Sequence, residues 1–154
     1  DTMETLFCRI NALLEEEHIK KSQISSSGSS SITYILDAID TVSAKIALAA
    51  YADEHSIPLI SSMGTGNKLH PELFRISDLK DTSVCPLCRV MRKELKTRGI
   101  QSLKVCWSPE KPLTPAPAEE DTGSRRSTPG SISFVPPAAG LMIAGEIVRN
   151  ICGL

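Results

Sequence analysis

Two short apolar runs, each broken off by polar or small residues and separated by an alanine-rich stretch, restrict the fold more than any other feature of this chain. Residues 32–39 (Ile-Thr-Tyr-Ile-Leu-Asp-Ala-Ile) are rich in β-branched side chains and read as a buried strand. Residues 41–54 place Val42, Ile46, Ala49 and Ala50 on one face of a helix. Residues 58–62 read as the next strand. Strand, helix and strand in this order form a βαβ unit, which implies parallel strands joined by a right-handed crossover. In open parallel sheets, ligands sit outside the carboxyl ends of the strands. Asp37 and Asp40 fall at the end of the first run. Met63, Gly64, Thr65, Gly66, Asn67 and Lys68 follow the second. Acid and glycine at two neighbouring strand ends make a candidate nucleotide site.

The rest of the chain reads as the same kind of alternation. Residues 5–20 carry Leu6, Ile10, Leu13 and Leu14 at helical spacing. Residues 22–31 hold seven serines and a glycine, too polar to bury apolar area against chain entropy, and read as a loop. An edge strand is expected at 74–76, a helix at 86–98 stopped by Gly99, and a strand at 103–107. Residues 108–130 gather Pro109, Pro112, Pro115, Pro117 and Pro129 among charges, the composition of a flexible linker. A strand at 131–135 and a helix at 137–152 complete the pattern. The expected organisation is one α/β unit over 1–108, a proline-rich linker over 109–130, and a last strand and helix of the same domain over 131–154.

At 154 residues, 41% hydrophobic and 23% charged, the chain has an ordinary globular composition. A net charge of −1 selects no class of partner. The most apolar stretch, 132–151, is interrupted by Pro136, Pro137, Glu146 and Arg149 and does not read as a membrane span. The first residues include Glu4 and Arg9 and show no apolar signal core. Five cysteines at irregular spacing do not suggest a disulfide framework. A reducing compartment is expected: cytoplasm, or mitochondrion in a eukaryote.

Several residue types invite chemistry, each beside a plainer role. Asp40 stands where strand passes into helix, so its carboxylate can face a cleft; capping the helix is the plainer role. Asp37 suits a structural task. The residues Met63 to Lys68 offer small side chains and free N–H groups to a nucleotide, although a Gly-x-Gly alone also describes an ordinary turn. Cys85-Pro-Leu-Cys88 has the spacing of a zinc or dithiol motif, but zinc requires a second pair that the sequence lacks, so no zinc site is assigned. Arg89, Arg92, Lys93 and Lys96 share one side of the 86–98 helix, a stripe suited to RNA phosphates or simply to water. Arg125 and Arg126 extend the charge. His18, His55 and His70 show no ligand spacing. Trp107 and Phe134 are expected in the core.

Three strings together carry a resemblance: Asp-Ala-Ile-Asp-Thr-Val-Ser-Ala-Lys (37–45), Ser-Ser-Met-Gly-Thr-Gly-Asn-Lys-Leu (61–69) and Gly-Ser-Ile-Ser-Phe-Val-Pro-Pro-Ala-Ala-Gly (130–140). In this order they resemble the tRNA threonylcarbamoyladenosine dehydratase branch of the ThiF/MoeB/HesA superfamily, ATP-dependent carboxylate activators related to the ubiquitin-activating enzymes. The resemblance implies the C-terminal half of a doubly wound, Rossmann-like mixed sheet. It implies ATP-dependent cyclisation of threonylcarbamoyladenosine in tRNA through an acyl-adenylate, with net loss of water. Asp40, with Asp37 beside it, would hold magnesium and the phosphates of ATP. Met63 to Lys68 would shape the pocket, and Arg89, Arg92, Lys93 and Lys96 would grip tRNA. No catalytic cysteine is implied, because the substrate's own nitrogen attacks. A homodimer is expected, with a sulfur-transfer protein as a further partner.

The G-x-G-x-x-G phosphate loop and its distant acidic partner, which such proteins carry in the first half of the domain, do not occur in this sequence. Two other readings therefore stand beside the first. The chain could activate a ubiquitin-like sulfur carrier, with Cys85, Cys88 or Cys106 as the thiol. It could instead be a non-catalytic half-domain that serves as a partner subunit.

Overall fold

A computed structural model describes residues 32–114 and 130–154. The helix expected over 5–20, the serine-rich 22–31, His18, Arg125 and Arg126 lie outside them. The described strands are β1 (Ile35–Asp37), β2 (Leu59–Ser62), β3 (Arg75–Asp78) and β4 (Lys104–Trp107); the helices are α1 (Val42–Glu54), α2 (Pro86–Thr97) and α3 (Val135–Cys152). The strands form one sheet in the order β1-β2-β4-β3. β1, β2 and β4 run parallel, while β3 pairs with β4 antiparallel, Ile76 opposite Cys106. The sheet is therefore mixed, as expected.

Side-chain alternation along the central strands builds a core on each face of this sheet. Leu59 and Val105 join one cluster, with Ile46 and Ala49 of α1 and Cys88, Met91 and Leu95 of α2. Their neighbours Ile60 and Cys106 point the other way, into a cluster with Val135, Ala139 and Ile143 of α3. Strands covered on both faces read as continuous apolar runs. This is why β2 and β4 carry no clear polar alternation.

The helix boundaries follow local chemistry. α1 is rich in alanine and buries Ala44, Ala47, Ala49 and Ala52, whose small side chains let it lie close to the sheet and to α2. Pro86 opens α2 at a position where no N–H is needed. Its end is a paired cap: Gly99 takes φ 79°, its N–H reaches Lys96 O at 3.1 Å, and Ile100 N–H reaches Leu95 O at 3.0 Å.

Several expected boundaries shift. The first strand is three residues, not the whole of 32–39. Among the described strands β1 lies at an edge, and Ile32, Leu36 and Ile39 are exposed. The strand expected at 74–76 occupies 75–78, and that at 103–107 begins at Lys104. Residues 131–135 form no strand. Val135 N–H bonds Ile132 O in a turn, and Pro136 and Pro137, pre-set for helical φ, start α3 at Val135. Phe134, expected in the core, is exposed.

Candidate functional site

The carboxyl ends of β1 and β2 open onto a cavity of about 290 Å3, lined by Ala38, Asp40, Lys45, Ser62, Met63, Gly64, Thr65 and Leu87. α3 closes it from the other face with Pro136, Gly140 and Ile143. The structure thus brings Asp40 and the start of the 63–68 loop to one opening. Thr41, not Asp40, is the residue preceding α1, and its side chain makes no cap bond. Asp40 is exposed and receives no side-chain hydrogen bond among the described residues.

Asp37 is placed quite differently. It is 1% exposed, and its carboxylate accepts from Lys45 Nζ at 3.0 Å, Ser61 Oγ at 2.5 Å and the Ile39 N–H at 2.9 Å. Lys45, equally buried, also donates to Ser61 Oγ at 3.2 Å and Ser62 O at 2.7 Å. A buried charge is tolerated when paired and hydrogen-bonded on every side. This knot ties α1 to the ends of both strands. It commits Asp37 to the protein rather than to a ligand, while leaving the Lys45 side chain at the cavity wall. Neither motif nor spacing singles out Lys45 for this place. The available signal is compositional: one lysine inside the apolar run Ala-Lys-Ile-Ala-Leu-Ala-Ala must be either paired or unburied.

The 63–68 loop divides into two parts. Met63 is buried in the core beneath the cavity, and Gly64 and Thr65 line the cavity itself. Asn67 and Lys68 turn away from it. Lys68, expected to help shape the pocket, is 4% exposed and donates to Glu110 O at 2.7 Å. The Glu110 carboxylate accepts from the N–H groups of Leu69 and His70. Asn67, in the left-handed conformation at φ 56° that asparagine tolerates, donates its N–H to Gly130 O at 2.8 Å and accepts the Gly130 N–H at 2.6 Å. Its carbonyl takes the Leu113 N–H at 2.8 Å. Residues 109–114, expected as the start of a flexible linker, are thus anchored to the loop; 115–129 lie outside the described residues.

The basic stripe of α2 is divided as well. Arg89, Lys93 and Lys96 are exposed. Arg92 folds back, donating to Leu79 O at 3.0 Å and Thr82 O at 2.7 Å, and also to Thr82 Oγ1. Three residues' spacing leaves Arg92 about 60° from Arg89 toward the buried side, which explains the division. Glu94 is paired with Arg98 at 2.9 Å.

Among the cysteines, Cys106 is fully buried and burial pushes its thiol up to about 11, unsuited to act as a nucleophile. The neighbouring Cys88 holds Cys85 down to about 6, against burial and with help from the N–H groups of Cys88 and Leu87 and from Lys68. The same partnership, with burial, raises Cys88. No cluster of three or more metal-ligating side chains occurs among the described residues. No helix among them is long and apolar enough to cross a membrane.

No family profile matches the chain. Individual relatives do. It is 34% identical over 129 residues to tRNA threonylcarbamoyladenosine dehydratase of Bacillus subtilis, covering 78% of this chain and 51% of the relative. It is 36% identical over 121 residues to tRNA threonylcarbamoyladenosine dehydratase 2 of Saccharomyces cerevisiae, covering 74% and 27%. A solved structure of TcdA (CsdL) matches with a TM-score of 0.66 at 26% identity, over 79% of this chain and 49% of that one. The Escherichia coli tRNA N6-threonylcarbamoyladenosine dehydratase in complex with ATP matches with a TM-score of 0.52 at 26% identity, over 83% and 54%. The mixed sheet covered on both faces, with its cleft at the strand ends, is therefore a ThiF/MoeB-type α/β fold. Within that class the chain resembles the tRNA threonylcarbamoyladenosine dehydratase branch. It spans about half the length of the Bacillus relative and less of the yeast one.

Proposed function

We propose that this chain supplies one half of an ATP-dependent site that cyclises threonylcarbamoyladenosine in tRNA. One observation carries the reading: Asp40, an acid with no side-chain partner among the described residues, lines a single cavity with Gly64 and Thr65 at two parallel strand ends. The relatives that share this fold are named for that reaction, and a neighbouring structure holds ATP. In the reaction the threonyl carboxylate is adenylated, pyrophosphate leaves, and the carbamoyl nitrogen closes the ring as AMP departs. The attacking atom is tethered to the reacting carbon, which gives a high effective molarity without a protein nucleophile.

Within this scheme Asp40 would hold the magnesium that accompanies ATP, which would neutralise charge on the phosphates. One carboxylate is chemically sufficient, because magnesium keeps several waters and is completed by the phosphates. Asp37 acts one step back: through Lys45 and Ser61 it fixes the two strand ends that bear Asp40 and Met63. Gly64 and Thr65 shape the pocket. Gly66 sits in the turn that follows, and Asn67 and Lys68 hold the loop rather than the ligand. Arg89, Lys93 and Lys96 present charge to tRNA phosphates, while Arg92 braces the helix that carries them. A homodimer and a sulfur-transfer partner belong to the same reading.

The sulfur-carrier alternative needs a reactive thiol, and the burial of Cys106 removes one of its three candidates. AMP release from Mg–ATP and tRNA bearing threonylcarbamoyladenosine, by a full-length enzyme containing this stretch, tests the proposal. Activity that requires Asp40 and survives Cys85→Ser, Cys88→Ser and Cys106→Ser supports it. Activity that depends instead on a cysteine and a carrier protein would sink it.

A further inference from the structure

The proposed reaction leaves the two sulfurs before and within α2 unused. Cys85 is the residue preceding the helix and Cys88 lies one turn on, the C-x-x-C placement in which dithiols close. Both residues belong to one buried cluster of the core. Cys85 stands at the helix N-terminus, where the first turn leaves the N–H groups of Leu87 and Cys88 without carbonyl partners. The buried ammonium of Lys68 adds positive charge nearby. These are the groups that stabilise a thiolate, and Cys85 titrates near 6 instead of 9.0.

The approach to this pair is distinctive. Val84 takes φ 63°, a conformation foreign to a β-branched residue, and is 51% exposed. The Cys85 N–H bonds Ser83 O at 2.6 Å across it. The tight turn ends at a sulfur whose residue is 6% exposed, with Cys88 sealed behind it at 0%. One sulfur is therefore poised as the attacking group and the other as the resolving one. A metal is not the occupant such a pair fits, since no third ligand gathers beside it among the described residues.

We propose that Cys85 and Cys88 form a thiol–disulfide exchange site that takes a low-molecular-weight disulfide of the glutathione class. The Cys85 thiolate attacks one sulfur of the small disulfide, forming a mixed disulfide and expelling one small thiolate. Capping Cys85 removes the negative charge that suppresses ionisation of Cys88. Cys88 then loses its proton, and its sulfur attacks that of Cys85 and displaces the second small thiolate. Two protein thiols are oxidised to one disulfide, one small disulfide is reduced to two thiols, and the released protons pass to these products. The site stands independently of the ATP reading.

The two sulfurs fall within a single tryptic peptide, residues 81–89, which makes the test direct. The folded chain is equilibrated with glutathione at stepped oxidised-to-reduced ratios, quenched in acid, alkylated and digested. The expected result is loss of two hydrogens from that peptide in native protein. Cys88→Ser traps a glutathione adduct on Cys85, and Cys85→Ser leaves Cys88 unmodified. The alkylation rate of Cys85 in the unsubstituted chain should have its pH midpoint near 6. A fully reduced 81–89 peptide under excess oxidised glutathione, while the exposed Cys152 takes the adduct, would overturn the proposal. So would an alkylation midpoint in the ordinary thiol range near 9, a result that needs no variant.

Discussion

Asp40 and Asp37 lie three positions apart, yet the structure sets them opposite tasks, and substitution separates them. Asp40→Asn removes a charge that no protein group compensates among the described residues. Stability in urea should change little, while AMP formation by the full-length enzyme falls by orders of magnitude. Lys45→Met leaves the Asp37 carboxylate buried without its cation, and should cost about 3–5 kcal/mol of unfolding free energy. Unchanged urea midpoints for Lys45→Met would show that the knot is dispensable. A third carboxylate reports on pH. Glu146 of α3 is held down to about 2 from 4.5, chiefly by the hydrogen bond from Lys104 of β4 at 2.7 Å. A carboxyl lowered in the folded state adds stability above its unfolded pKa, and that contribution is lost as pH falls through the folded value. The Lys104–Glu146 contribution is therefore complete above about 4.5 and disappears toward 2, and Glu146→Gln should flatten the urea-midpoint profile across that window.

The exposed and folded-back cations of α2 make separate predictions. Replacing Arg89, Lys93 and Lys96 by Gln should preserve the helix but weaken tRNA binding, with the log–log salt slope shrinking by about one unit per lost phosphate contact. Arg92→Gln should leave that slope alone and instead destabilise the chain by about 1.5–3 kcal/mol, the worth of hydrogen bonds from a charged donor. A salt slope that moves only with Arg92 would reverse these assignments. Spacing alone does not separate the four residues, since i, i+3, i+4 and i+7 spread over about 100° of one side. The helix itself was legible, as were α1 and the strand ends, because burial imposes periods of 3.6 and 2 on sequence. The strand expected at 131–135 was not. Its apolar residues fit a strand or a helix entrance equally well, and only the Pro136–Pro137 pair argued for the helix.

Taken as one body, the chain presents a cleft whose acid and glycine walls were readable and whose supports were not. The Lys45 knot, the Glu110 anchor and the Asn67 contacts join residues 8, 17, 42 and 63 positions apart, beyond any local pattern. The phosphate loop is absent from this sequence, and helix N-termini and glycine-rich loops supply most contacts to a triphosphate. Calorimetric titration of the chain with Mg–ATP should therefore show no micromolar binding; a micromolar heat would mean that the described cleft suffices alone. The Asn67 contacts carry a separate implication for engineering. One residue grips Leu113 on one side and Gly130 on the other, so the two exits of the stretch between them are already held together. Joining those exits with a short glycine–serine bridge adds little loop entropy, and a chain shortened in this way should melt within a few degrees of the parent. That base is then a natural doorway for grafting a reporter or affinity tag without touching the sheet.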